Sequence, residues 1–450
     1  MTTDYKGLNR REFLAVCALG TLPGLLAACQ TAPSHVGNAT PSPTRQPSPS
    51  VSASPSPPTD ADWSTLSASL QGTLVQPGSQ QYPTALQLFN TRFDSVKPAA
   101  IAYCQSTADV QTCLAFARRF NVPIAPRSGG HSYAGYSTTT GLVLDVTRMN
   151  AISVDAGAGT ATIGAGARLI DVYAALAQQG LALPAGSCAT VGITGLTLGG
   201  GVGVLGRKFG LTCDNLLSAQ IVLADGRVLA CDSAHAPDLF WALRGGGGGN
   251  FGIVTSLLFQ VHPVASLTLF TLNWPWGIAS DVVDAWQSWA PQAPDELWSN
   301  CLLLTNSDKS ADPIVRANGV YLGAIAPLQS LLQQFVSRIG TPPSSNYVSG
   351  AGLLETMMDE AGCYGMTVGE CHLPSQNPQG RLQRDTFGAK SDYFNNALPR
   401  QGIDHLVSAI ASRQSSSSLG NGGIGLDAFG GALNRVAAGA TAFVLSLIHI

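Results

Sequence analysis

Alternating apolar and polar positions place a first strand at Ala99-Ile101-Tyr103, and Ser106 or Thr107 then offers an N-cap to a helix whose apolar stripe is Val110, Cys113, Leu114 and Ala117. Val122-Pro123-Ile124 leads straight into a glycine-rich loop, and 141–146 and 161–166 read as two more buried strands. Between Arg168 and Gln179 the spacing of Leu169, Val172, Tyr173 and Leu176 predicts a second amphipathic helix, stopped by Gly180. Apolar runs on either side of Asp225-Gly226 spell a hairpin over 221–230. Strands, helices and glycine turns in this mixture predict an α+β nucleotide-binding domain.

The pattern changes from Leu267. Strand-like runs at 267–272, 301–305 and 320–325 alternate with helical stretches at 279–289 and 328–339, which predicts a second domain, an antiparallel sheet backed by helices. Farther on, Ile424, Leu426 and Ala428 fall on one face of a strand and Gly425, Asp427 and Phe429 on the other. Asp427 is therefore either a carboxylate facing a cavity or an ordinary turn residue before Gly430-Gly431.

The chain has 450 residues, of which 45% are hydrophobic and 11% charged, enough to bury a large core in two domains. A net charge of −3 without a Lys/Arg cluster argues against a nucleic-acid partner and for a small, largely uncharged substrate. Residues 1–29 read as an address. Arg10-Arg11 precede an apolar run, 13–28, that is broken by Pro23-Gly24 and shorter than the ~20 residues needed to span a bilayer, as in a twin-arginine export signal. Leu26-Ala27-Ala28-Cys29 looks like a lipoprotein processing site, with Cys29 lipidated and the protein anchored outside the cytoplasm. The alternative is a plain cleaved signal. Residues 30–62, rich in Pro, Ser and Thr, read as an extended tether. Domain boundaries follow at 63–265, 266–444 and 445–450.

Candidate chemistry sits in two stretches, PRSGGHSYAGYS (126–137) and PAGSCATVGITGLTLGGGVGVLGRKFGLTCDN (184–215). Each sets one nucleophile, His131 or Cys188, among small residues whose backbone N–H groups can close on an anionic group. Gly201-Val-Gly203-Val-Leu-Gly206 matches a dinucleotide fingerprint with Asp225 about 20 residues on, but the text before it is no clean strand and Arg207-Lys208-Phe209-Gly210 opens no long helix. Five glycines, 245–249, precede Asn250-Phe251-Gly252, and apolar text on both sides argues for a buried tight turn rather than a linker. There is no GxSxG, which disfavours a serine hydrolase.

These stretches resemble the berberine-bridge-enzyme-like flavin oxidases, within the family typified by vanillyl-alcohol oxidase. The resemblance runs from about Trp63 to Phe443. It implies a two-part FAD-binding domain plus a substrate domain, with FAD bound covalently through His131 to its 8α carbon and Cys188 to C6. It further places Arg127, Ser128, Gly129, Gly130 and Ser132 against the cofactor, with Val191, Gly192, Thr194, Gly195, Gly199, Gly200, Gly201 and Gly203, then Asp214, Asn215, Gly249, Asn250, Gly252, Ile253 and Val254. The implied activity is oxidation of an alcohol or hemiacetal carbon in a sugar, an oligosaccharide or a secondary metabolite, with O2 reduced to H2O2; Val191, small and beside the flavin, implies access for O2, and no metal is implied. A degenerate flavin-binding lipoprotein is the alternative.

Of the ten cysteines, seven remain after Cys17, Cys29 and Cys188, an odd number. Cys104 with Cys113 and Cys363 with Cys371 are the close pairs, although spacing alone fixes no connectivity. After Val444 the text departs from the family, which continues with a base tyrosine in a YxN motif, leaving Asp427 as that base's supporting partner. Leu445-Ser446-Leu447-Ile448-His449-Ile450 can be encoded by CTG TCT CTT ATA CAC ATC, the transposase end used in sequencing libraries. The expectation is a frame running from gene into adapter, and a longer natural protein; the alternative is a short natural C-terminus that matches the adapter by chance.

Overall fold

The computed structural model describes residues 56–443. The export signal, Cys29, most of the Pro/Ser/Thr stretch and the tail at 445–450 lie outside the described residues. The tether ends sooner than composition suggests, since a helix already covers Asp60–Ser69. The Thr59 hydroxyl accepts from the Asp62 N–H and the Asp62 carboxylate accepts from the Thr59 N–H, a capping box. Its polar text hides two anchors, Trp63 and Leu66, both buried.

Strands β1 (Thr73–Val75), β2 (Ala100–Tyr103), β3 (Ile124–Arg127) and β4 (Leu142–Asp145) form a sheet of order β1-β2-β4-β3, with β2 and β3 both parallel to β4. Parallel pairing needs a crossover. Here it is the helix Thr107–Phe120, capped by the Ser106 hydroxyl and burying Val110, Cys113, Leu114 and Ala117 as their spacing predicts. The crossover leaves Pro126-Arg127 at the C-terminal edge of the sheet, where ligands of open α/β sheets bind, with the histidine loop following at once.

A second sheet joins β5 (Ile152–Asp155), β6 (Thr160–Gly164), β8 (Leu216–Val222), β9 (Val228–Asp232) and β10 (Ile253–Gln260) in the antiparallel order β5-β6-β10-β8-β9, and β7 (Leu181–Ala182) pairs with β11 (His262–Pro263). Both sheets share one core, which contains Ala100, Leu142, Ile163, Leu257 and Phe259. The hairpin forms as read, with Gly226 turning at φ +91°. Before Gly201 lies a helix, Ile193–Leu198, and the helix Gly206–Phe209 is only four residues long. The fingerprint glycines therefore lack the strand-turn-helix context.

The second part is a sheet of β12 (Leu267–Trp274), β13 (Leu297–Leu304), β14 (Ile314–Leu322), β15 (Ser345–Ala351) and β16 (Gly423–Asp427), in the antiparallel order β15-β12-β14-β13-β16. The strand expected at 320–325 is displaced, because Gly323 breaks the chain at φ +149° and Ile325 already opens the helix Ile325–Ile339. One face, with Phe270, Leu272, Cys301, Leu303, Ala317 and Leu426, packs on the helices Ala279–Trp289, Ile325–Ile339 and Arg400–Ser415. At one end of the opposite face, Leu267, Leu269, Trp298 and Val320 join the core of the first part.

A buried arginine joins the two parts. Arg207 is 1% exposed, and its guanidinium donates to the carbonyls of Phe429 (2.6 Å) and Ala293 (2.6 Å). Burial lowers its pKa, with Asp295 pulling the other way. Replacing Arg207 by Met orphans these carbonyls and is expected to cost about 3 kcal/mol, seen as a clear drop in the calorimetric melting temperature. Arg435→Met, which removes an exposed pair with Asp295, is expected to cost under ~1 kcal/mol. Equal shifts would refute the latch.

Candidate active site

Glycine facing glycine brings the two nucleophile loops together. A Cβ on Gly129 would collide with the Gly192 N–H, and one on Gly192 with the Ser128 hydroxyl, so the backbones touch. Ser128 of the histidine loop and Thr194, in the first turn of the helix Ile193–Leu198, both donate their hydroxyls to the Ala165 carbonyl at 2.8 Å. His131 and Cys188 thereby line the same cavity, of ≈ 400 Å³.

The wall contains Arg127, Ser128, Gly129, Gly130, Ser132, Val191, Gly192, Thr194, Gly195, Gly249, Gly252, Ile253 and Val254, together with the exposed Tyr133 and Tyr136. Of the expected cofactor residues, the structure places Gly199, Gly200, Gly201, Gly203, Asp214, Asn215 and Asn250 outside it. Gly201 backs on Thr212 and Gly203 on the Ala185 carbonyl, which accounts for their lack of a side chain. Asp214 accepts from the Leu211 N–H, and Asn215 bonds the carbonyls of Phe209 and Leu211 and the His262 ring. Asn250 donates to the Gly246 carbonyl, closing the glycine run. That run is a turn as expected, with Gly245, Gly247 and Gly249 at positive φ. It is not buried: residues 248–251 are exposed, because its tip borders the open cavity.

The wall suits a flat apolar ring system that carries phosphates. Among the described residues no hydrogen bond takes up the backbone N–H groups of Gly129, Gly130, His131 or Ser132, and Gly130 turns at φ +73°. Such free donors in a glycine turn suit an anion. Beneath them Arg127 is buried and pairs through Nε with Asp145 at 2.5 Å, while its Nη1 has no partner. His131 is pushed down to about 4 by burial and by Arg168, so its imidazole is neutral. The Cys188 sulfur opens on the cavity, yet burial by the surrounding wall pushes its thiol up.

Asp427 does not reach this wall. It ends a row of mostly polar side chains running across the open face of the second sheet, where cross-strand register aligns Tyr347, Thr271, Asn318, Asn300 and Asp427. The adjoining row aligns Ser345, Asn273, Arg316, Leu302 and Gly425. Asn300 Oδ1 and Asn318 Oδ1 are buried and unpartnered. Sequence reading missed both rows, since the residues lie on five strands and only register joins them. Burial raises the Asp427 carboxyl, partly offset by Asn300, so the turn reading gives way to a perturbed strand carboxylate.

Glu360, at the end of the helix Leu353–Glu360, is pushed up to about 7 by burial and by Asp359 and Asp427. Unfolded, it ionises near 4.5; folding therefore weakens as pH rises from there to about 7 and carries the full penalty, on the order of 3 kcal/mol, above. Glu360→Gln is expected to leave the melting temperature unchanged at pH 4 and raise it at pH 8. A pH-independent difference would contradict this.

Of the close cysteine pairs, Cys363–Cys371 is a disulfide, whereas Cys104 and Cys113 are free and buried. The disulfide packs with Met358, Ile170 and Ala189, the residue after Cys188.

A family model described as FAD binding domain matches residues 98–232. The uncharacterized FAD-linked oxidoreductase YgaK of Bacillus subtilis is 34% identical over 83% of this chain and 78% of its own. The solved structure of Physcomitrella patens BBE-like 1 is 30% identical, with a TM-score of 0.76 over 85% of this chain and 81% of that one. The chain belongs to the berberine-bridge-enzyme-like FAD-linked oxidoreductases. Chitooligosaccharide oxidase is another similar structure, 28% identical with a TM-score of 0.71 over 86% of this chain and 80% of that one. The fold is thus the two-part FAD-binding domain of the vanillyl-alcohol oxidase type, with an antiparallel sheet backed by helices beside it, and this oxidoreductase uses FAD.

Proposed function

We propose that this oxidoreductase is an oxidase holding FAD through both His131 and Cys188 and acting on an alcohol or hemiacetal carbon of a hydroxyl-rich substrate, a sugar or oligosaccharide. The observation that carries the reading is the convergence of the two nucleophiles on one cavity, across loops that meet through Gly129 and Gly192. Bound there, FAD supplies a hydride acceptor and a route for the electrons to O2, which yields H2O2. The N–H groups of residues 129–132 would take the phosphates and the apolar wall would exclude water from the ring. Asn300, Asn318 and Arg316 offer a sheet face of donors and acceptors for hydroxyls, with two carbonyl oxygens that have no partner of their own. Asp427, held above the usual carboxylate range, is the better base for it and would take the hydroxyl proton directly or through a neighbouring hydroxyl. The name of chitooligosaccharide oxidase supports the same substrate class. The reading includes export to an oxidising compartment, with a lipid anchor at Cys29; the Cys363–Cys371 bridge supports such a compartment.

Screening aldoses, oligosaccharides and aromatic alcohols for peroxide release tests the substrate class. Turnover with at least one sugar is expected; turnover with aromatic alcohols alone would overturn the hydroxyl-rich reading.

A further inference from the structure

We propose that Thr190 orients His131 for flavin attachment, its hydroxyl holding imidazole Nε2 so that Nδ1 is the nitrogen presented to the cofactor. The proposal rests on the bicovalent reading above, and it makes the histidyl bond depend on a residue of the cysteine loop.

His131 Nε2 lies 2.8 Å from Thr190 Oγ1, and Thr190 is 2% exposed. The ring plane is fixed independently by Phe89, stacked on the imidazole with centroids 4.1 Å apart and planes 17° apart. Phe89 is held in turn, its N–H donating to the Gly130 carbonyl and its own carbonyl accepting from the Asp385 N–H. Thr190 is held because Gly129 and Gly192 leave no slack between the loops. With one face on Phe89 and Nε2 engaged, the ring has one nitrogen left. Among the described residues no hydrogen bond engages Nδ1.

Burial and Arg168 push the imidazole down to about 4, so near neutral pH it is uncharged and protonation does not limit its nucleophilicity. What remains to be set is the tautomer. With the hydrogen on Nε2, donated to the Thr190 oxygen, Nδ1 keeps its lone pair. The new bond joins Nδ1 to the 8α carbon of FAD, which loses one hydrogen, while the Nε2 proton leaves through the Thr190 hydroxyl. The two protons and two electrons released reduce one O2 to H2O2. A hydroxyl suits both ends of the step, accepting from Nε2 before and donating to it afterwards.

The test is a tryptic map of the purified holoprotein, because His131 and Cys188 fall on separate peptides, 128–148 and 169–207. Wild type is expected to give both peptides joined by one flavin. Thr190→Val, of matching shape, is expected to reduce the joined species at least tenfold and leave flavin on 169–207 alone, and Thr190→Ser is expected to restore the joined species. Full cross-linking in Thr190→Val overturns the proposal, as does its absence in Thr190→Ser. If Thr190→Val carries flavin on neither peptide, the serine variant decides alone. A wild type with no flavin on 128–148 overturns the bicovalent reading and the role of Thr190 with it.

Discussion

The double variant His131→Ala/Cys188→Ala is expected to release all of its flavin on acid precipitation, while either single variant and the wild type keep theirs in the pellet. A covalent bond survives unfolding, whereas noncovalent contacts vanish with the folded wall that makes them. Both nucleophiles line one cavity, so on the proposed bicovalent reading a single flavin would lie within reach of both. Absorbance of pellet and supernatant measures the outcome directly. Flavin freed from His131→Ala alone would mean that Cys188 forms no bond; flavin freed from Cys188→Ala alone would mean the same of His131.

Replacing Val191 by isoleucine is expected to slow reoxidation by O2 on the order of 10–100-fold, while reoxidation by an artificial dye stays within about twofold. Val191 lines the cavity three residues after Cys188, and its amide N–H bonds the Cys188 carbonyl at 3.3 Å, which fixes the direction of its side chain. Each ~1.4 kcal/mol that the added methylene puts on the barrier to O2 approach is tenfold in rate. On the proposed reading O2 would have to pass that methylene, whereas a dye would accept electrons at an edge of the ring open to solvent. Stopped-flow reoxidation in air-saturated buffer measures both. Equal slowing with dye and O2 would show general damage instead of a gate.

Much of this site is local text and is legible as such. The nucleophiles sit in contiguous loops whose glycines signal close backbone approach in the sequence, and Gly129 does pack directly on Gly192. The amphipathic helices are legible for a similar reason, since Val110, Cys113, Leu114 and Ala117 declare their face within one segment. The substrate face is not. Asn300 and Asn318 are ordinary polar positions until β13 and β14 align them. Thr190 reads as a small loop residue until the fold brings it to His131, 59 positions away. In the run 199–203, Gly201 sits against the Thr212 side chain and Gly203 against the Ala185 carbonyl, a need for bare backbone that only the fold reveals.

The proposed oxidase needs a flavin, fixed to this chain, that takes electrons from a hydroxylated carbon and gives them to O2. Anaerobic titration of the yellow protein with the best sugar from the peroxide screen tests it most directly. The visible band is expected to bleach with one equivalent of sugar per bound flavin, and air is expected to restore it with release of one H2O2. A band that no sugar or oligosaccharide bleaches, in protein whose flavin stays with the acid pellet, would contradict it.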